Sequence, residues 1–237
     1  DYPLNFGAAW ARPSSAQIVA QADCVVAIGT ELAEVDLWRA HLGHSCPLYR
    51  IDIDPECLAD MQRAEVAILA RAEGAMASLR PLMADSLSQW QVQSVAHQRG
   101  LWQGETEAER PGIIAIVEAL RAVVPDDAMI YSDMTQFAYV ANEVWPMTRA
   151  KHWHHPSGFG TLGYALPAAI GGAMARPGKP TLAIAGDYGF QYSVQELGTA
   201  VELGQALPII LWDNGKLKEI EDSMRSAQIA PNAVIAK

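Results

Sequence analysis

Short apolar runs separated by polar, helix-periodic segments set the pattern of this chain. Cys24-Val25-Val26-Ala27-Ile28-Gly29 is a continuous apolar run ending in glycine, the pattern of a strand buried on both faces. Leu48 to Pro55 predicts a second strand, stopped at Asp54-Pro55. A helical or looping segment rich in Trp, Leu and His joins the two, and residues 75–82 predict a helix packing back onto them. These elements make a small parallel α/β layer that lacks its beginning.

Residues 84–111 lose the apolar rhythm and are rich in Ser, Gln, Glu and Gly. This polar stretch divides the chain into a first unit over 1–90, a linker over 91–111 and a second unit over 112–237. In the second unit, Ile113, Ile116, Val117 and Leu120 fall at helical spacing behind Pro111, which suits a helix start. Ala128–Ser132, Thr181–Ala185 and Leu207–Trp212 predict strands. Between the first two lie a glycine-rich turn at 158–163 and a small-residue helix from Ala165 to Ala175. Phe190, Val194, Leu197 and Val201 mark one face of an amphipathic helix before the third strand. Strands alternating with helices predict an α/β fold: two Rossmann-like units, each a parallel sheet flanked by helices.

Composition narrows the partners. The 237 residues carry 17 Lys and Arg against 27 Asp and Glu, a net charge of −10. Such a surface repels phosphate backbones and argues against nucleic acid as a partner. No apolar run reaches the roughly 18–20 residues of a membrane helix. The three cysteines, Cys24, Cys46 and Cys57, form no Cys-x-x-Cys pair. A reducing, cytoplasmic setting is therefore expected, without disulfides. The first residues lack the basic start and apolar centre of a signal peptide, and both ends read as cuts.

The chemistry gathers at strand ends. Asp187, in Gly186-Asp187-Tyr188-Gly189, lies just past one predicted strand, and Asn214, in Asp213-Asn214-Gly215, just past the next. Ligands in an open parallel sheet bind at the carboxyl ends of its strands. A carboxylate and an amide oxygen from adjacent ends can share a hard cation such as Mg²⁺, which completes its shell from a bound phosphate. Gly186 and Gly189 allow close backbone approach, and a helix expected to start near Gln191 would turn its free N–H groups toward an anion.

These residues resemble the thiamine-diphosphate-dependent enzymes, which carry Gly-Asp-Gly followed some two dozen residues later by Asn-Asn. Asp187 and Asn214 lie 27 positions apart (187 to 214), as in the acetohydroxyacid synthase and 2-oxo acid decarboxylase branches. Ser157 to Ala169 resembles the acetohydroxyacid synthase segment before that motif. Ser132-Asp133-Met134-Thr135-Gln136 is similar to the family's Asp-x-Gly-Gln. The first unit resembles the second half of the family's middle domain. The resemblance implies that Asp187 and Asn214 bind Mg²⁺ by side chain and Lys216 by its carbonyl. It implies that Gly186, Tyr188, Gly189 and Gln136 hold the diphosphate, and that Gly160 and Leu162 meet the aminopyrimidine. It implies decarboxylation or carboligation of a 2-oxo acid, acetolactate synthase-like, in a homodimer or homotetramer. The activating Glu is expected on a domain outside this chain, which alone would be inert.

Three departures bear on these expectations. Tyr188 replaces a glycine, Asp213 replaces the first Asn, and Lys216-Leu217-Lys218 stands where many relatives have Gly-Tyr-Gly. The altered loop leaves open a decarboxylase for a longer polar substrate such as 5-guanidino-2-oxopentanoate, and also a non-catalytic scaffold or regulatory member. A bound FAD is compatible with the family but has no motif behind it here.

Other signals read more plainly. Gly158-x-Gly160-x-x-Gly163 matches a dinucleotide fingerprint. The preceding Lys151 to Pro156, however, is too polar and turn-prone for the buried strand a nicotinamide site needs. His152, His154 and His155 are expected in a polar loop at the rim of the site. Glu219 and Glu221 are expected on a solvated helix start, and Asp52 and Asp54 as caps of the next helix.

Overall fold

The computed structural model describes residues 2–83 and 88–235. The chain divides into two compact units, one of residues 8–98 and one of residues 1–7 with 99–237.

The smaller unit runs α1 (Ser15–Val19), β1 (Val25–Ile28), α2 (Glu34–Leu37), β2 (Leu48–Asp52), α3 (Pro55–Leu58), β3 (Val66–Leu69) and α4 (Ala72–Leu82). Its three strands form a parallel sheet in the order β1-β2-β3. Val19, Ala27, Leu37, Leu42 and Leu48 make its core. The strand β1 departs from expectation: Ala27 is buried, but Val26 is 48% exposed, so the run is not covered on both faces. Strand β3 was not anticipated, because Val66 and Leu69 lie largely exposed and lack an inward alternation. Arg50 is buried at the centre of β2, where its guanidinium meets Asp60 at 2.5 Å and the carbonyl of Thr30 at 2.8 Å. That double engagement offsets the desolvation of the charge. Asp54 caps α3 as expected: its Oδ1 accepts the Glu56 N–H at 2.8 Å, with Pro55 at the first helical position.

The polar stretch expected to link the units is not irregular. Residues Val92–Glu109 form one helix, α5. Its apolar residues are too few for a visible stripe. Yet Trp102 and Thr106, four apart, are both buried, and Trp102 meets the ring of Phe6 at 6.0 Å. The Thr106 hydroxyl donates to the Trp102 carbonyl, a bond within the helix that a polar residue's sequence context does not announce.

The larger unit continues with α6 (Ile113–Val123), β4 (Met129–Ser132), α7 (Gln136–Val144), β5 (Trp153–His154), α8 (Ala165–Ala175), β6 (Thr181–Gly186), α9 (Asp187–Gln191), α10 (Glu196–Glu202), β7 (Ile209–Trp212) and α11 (Lys218–Ser226). All four strands are parallel, in the order β5-β4-β6-β7. One core packs Ile113, Val117, Phe137, Val140 and Ala141 against Ile130, Leu182 and Ile184 of the sheet. A second packs Leu166 and Ile170 of α8 with Ala200, Phe190 and Ile209. Burying each of the larger apolar side chains contributes roughly 1.5–3 kcal/mol, which holds helices on both faces.

Three expectations fail here. The predicted amphipathic helix through 190–201 is broken into α9 and α10. Val194 and Val201 are 41% and 79% exposed, while the small Ala200 takes the inward position. The helix expected near Gln191 begins four residues earlier, at Asp187. The polar run before the glycine turn is likewise more than a loop: Trp153 and His154 form the edge strand β5.

Candidate functional site

The chain leaves β4 toward β5 on one side, then returns through α8 to place β6 on the other side of β4. This reversal opens a crevice outside the carboxyl ends of β4 and β6. A cleft of about 290 Å³ lies there. Gln136, Gly160, Leu162, Gly186, Asp187, Tyr188, Gly189, Asn214 and Lys216 all line it, so the residues expected around the cofactor and its metal share one cleft.

They come from the ends of three strands and from the glycine turn. Gln136 opens α7 after β4; Asp187 opens α9 directly after β6; Asn214 follows β7 by two residues. The Asp187 carboxylate accepts the Tyr188 N–H at 2.9 Å through one oxygen and the Lys216 N–H at 3.1 Å through the other. The Asn214 amide oxygen accepts the same Lys216 N–H at 3.3 Å, and its NH₂ donates to Gln136 at 3.4 Å. Asp187 and Asn214 therefore converge on one donor, and their oxygens are within reach of a single small cation. Here Lys216 turns its N–H to the pair. Among the described residues no group of three or more His, Cys, Asp and Glu gathers as a metal cluster. An oxygen set of one carboxylate and one amide suits a hard divalent ion that takes its remaining ligands from a phosphate.

The glycine turn at 158–163 is closed by the Gly160 N–H on the Pro156 carbonyl at 2.7 Å, and Gly160 sits at φ +69°. Its far end is fastened by Asp133, which is 1% exposed. The Asp133 carboxylate accepts the N–H groups of Gly163, Tyr164 and Ala165 at 3.0, 2.8 and 2.9 Å. These are the donors at the start of α8. A dinucleotide phosphate would need the same N–H groups, so the fingerprint-like glycines cannot serve that role while Asp133 fills the position.

The far wall of the cleft is polar and paired. Both oxygens of Glu219 accept from Arg110, at 2.8 and 3.0 Å. Glu221 is 6% exposed and accepts from Lys216 at 2.9 Å and from Arg225 at 2.8 and 3.2 Å. The hydrogen bond from Lys216, then that from Arg225, holds its carboxyl down at about 2. Lys218 pairs with Asp222. Neither Glu219 nor Glu221 is the solvated helix-start acid expected from sequence. Only the Glu221–Arg225 spacing of four could have signalled the pairing. The Leu217 N–H bonds the Val234 carbonyl at 2.8 Å, which ties this loop to the segment after α11.

Tyr139 lines the cleft, and burial, with Glu219 nearby, pushes its hydroxyl up to about 12. Behind it, His155 hydrogen-bonds Ser132 at 2.9 Å and meets the Tyr139 ring edge-on at 5.9 Å. Burial pushes the His155 ring down to about 4. His154 stacks on Tyr131 at 4.7 Å. Two of the three histidines are thus packed beside the sheet rather than in a rim loop, while His152 bonds the Ala150 carbonyl at an exposed turn. Tyr139 and the fastening role of Asp133 escaped the sequence reading; the first carries no motif, and the second shows only as part of a family-like segment.

Residues 133–232 match the family model "Thiamine pyrophosphate enzyme, C-terminal TPP binding domain". The chain is similar to "Probable 2-ketoarginine decarboxylase AruI" of Pseudomonas aeruginosa, 37% identical over 240 residues, covering 100% of this chain and 43% of that protein. It is also similar to two Escherichia coli K12 proteins, the acetolactate synthase isozyme 1 and isozyme 3 large subunits. The identities are 30% and 26%, over 86% and 87% of this chain and 37% and 38% of theirs. The chain thus spans less than half the length of these relatives.

Proposed function

Since the chain belongs to the thiamine pyrophosphate enzymes, we propose that its cleft holds the diphosphate–magnesium half of a thiamine diphosphate site in an enzyme acting on a 2-oxo acid. The observation that carries this reading is the convergence of Asp187 and Asn214 on the Lys216 N–H at the carboxyl ends of β6 and β7. The donor set fits the group: Asp187 and Asn214 would hold Mg²⁺ by their side-chain oxygens and Lys216 by its carbonyl oxygen rather than the N–H it now turns to the pair, with Gln136, Gly186, Tyr188 and Gly189 around the diphosphate. Gly160 and Leu162 would meet the organic half. When bound, thiamine diphosphate supplies an electron sink for the carbon that loses CO₂. The protein's part is to fix the cofactor and to exclude water with Leu162, Trp212 and Tyr139, which line the same cleft.

Decarboxylation of a longer polar 2-oxo acid, of the 5-guanidino-2-oxopentanoate type, is the favoured reaction. Its support is the 2-ketoarginine decarboxylase relative, which matches over the whole chain at higher identity than the acetolactate synthases. The Lys216-Leu217-Lys218 loop and the paired Glu219 also give this wall a polar lining. Acetolactate-type carboligation is the second reading. A scaffold role is disfavoured by the retained Asp187 and Asn214 pair.

The test is calorimetric titration of Mg²⁺ and thiamine diphosphate into the full-length protein and its Asp187→Ala variant. Magnesium-dependent binding by the first and none by the second is expected. Equal binding by both, or none by a folded parent, would sink the proposal. Release of CO₂ from 5-guanidino-2-oxopentanoate, set against acetolactate formation from pyruvate, then separates the two reactions.

A further inference from the structure

Asp133 lies one layer behind the cleft and is absent from its lining. Two segments that do line the cleft meet at its carboxylate. From one side, Oδ1 accepts the N–H groups of Tyr164 and Ala165, and Oδ2 accepts that of Gly163. From the other side comes the backbone of Gly189: a Cβ there would stand 2.5 Å from Oδ2 and 3.7 Å from the Gly163 nitrogen. Gly163 needs its own lack of a side chain. Its φ is +82°, and a Cβ would stand 2.9 Å from that of Tyr192 and 3.6 Å from the Gly189 carbonyl. Asp133 is thus wedged where the 160–165 segment and the 187–189 segment touch.

Both oxygens are engaged, which explains the residue type. An amide would present an NH₂ group to at least one of three N–H donors and leave that donor unpaired. The carboxylate serves neither as a metal ligand nor in contact with the cleft interior.

We infer that Asp133 is a positioning residue for the cofactor. It sets the spacing between Gly160 and Leu162, assigned to the organic half, and Asp187 and Asn214, assigned to the metal half. This rests on the proposed function above. A site must hold its groups within about 0.5 Å of the productive arrangement, and the fastening of these two segments supplies that tolerance. The metal pair does not depend on Asp133: its contacts run through Lys216 and Gln136.

The experiment titrates the full-length protein, Asp133→Asn and Asp133→Ala with two probes, magnesium pyrophosphate and magnesium thiamine diphosphate. Both variants should bind magnesium pyrophosphate within roughly threefold of the parent. They should bind magnesium thiamine diphosphate roughly ten- to hundredfold more weakly, the range that an unpaired buried N–H costs, with Asn the milder. Unchanged affinity for thiamine diphosphate in a folded variant overturns the inference alone. So does an equal loss of both probes, which marks general support of the site. A parent that binds neither probe overturns the proposed function and this inference with it. Circular dichroism checks the fold, and Asp133→Asn, which preserves the volume, carries the test if Asp133→Ala does not fold. Unfolding of both would show that Asp133 holds the domain rather than the cofactor, and would overturn the assignment.

Discussion

Two adjacent glycines on α8 are expected to respond to the same substitution with opposite sign. Gly171 is exposed and a Cβ there meets nothing within 4 Å. Gly171→Ala should stabilise the protein by about 0.5–1 kcal/mol, because alanine loses less backbone freedom in a helix interior. Gly172 is buried against Tyr131, and a Cβ there would stand 2.4 Å from Cε2 and from the hydroxyl oxygen, and 2.6 Å from Cζ. The ring cannot easily swing aside. It stacks on His154 at 4.7 Å, and its hydroxyl bonds the Met129 sulfur at 3.0 Å. Overpacking of this kind costs about 1–3 kcal/mol. Set against the same helix gain, Gly172→Ala should be net destabilising, by up to about 2.5 kcal/mol. Urea unfolding of the two variants beside the parent measures this as opposite shifts of the midpoint at constant slope. The two variants shifting together would refute the packing argument, since their helix propensity terms are the same.

Other outcomes follow from the charged groups. Glu221 has a folded value of about 2 against an ordinary 4.5, so its ion pairs stabilise the fold above about pH 4.5 and are lost as the pH falls toward 2. Glu221→Gln should flatten that part of the acid-unfolding curve, and an unchanged curve would count against the pairing. His155 is held down at about 4 against an ordinary 6.5, so the unfolded chain takes up this proton first and stability declines as the pH falls from 6.5 toward 4. Its ring protons should show no NMR titration between pH 7 and 5; a midpoint near 6.5 would mean the ring is open to water. Asn214→Ala, which leaves Asp187 in place, should weaken magnesium-dependent binding of thiamine diphosphate by roughly ten- to hundredfold, measured by calorimetry.

The sequence by itself determined the elements whose signal is local. The strands β4, β6 and β7 declare themselves as apolar runs, and α8 begins and ends where its small residues do. The placement of Asp187 and Asn214 just past two strand ends was legible because each follows closely on an apolar run. What sequence could not give were the features settled by partners far along the chain. Val194 and Val201 look like a core face, but the chain turns between α9 and α10 and seats Ala200 instead. Helix α5 has no apolar stripe to read, because Trp102 and Thr106 are buried by packing rather than by a repeated pattern. The pairing of Glu219 with Arg110 spans 109 positions, and the bonds from Asp133 to Gly163, Tyr164 and Ala165 span 30 to 32. No periodicity encodes such distances. A buried charge tolerates only the partners that the fold delivers, so tertiary structure alone decided which acids face the cleft and which hold it in shape.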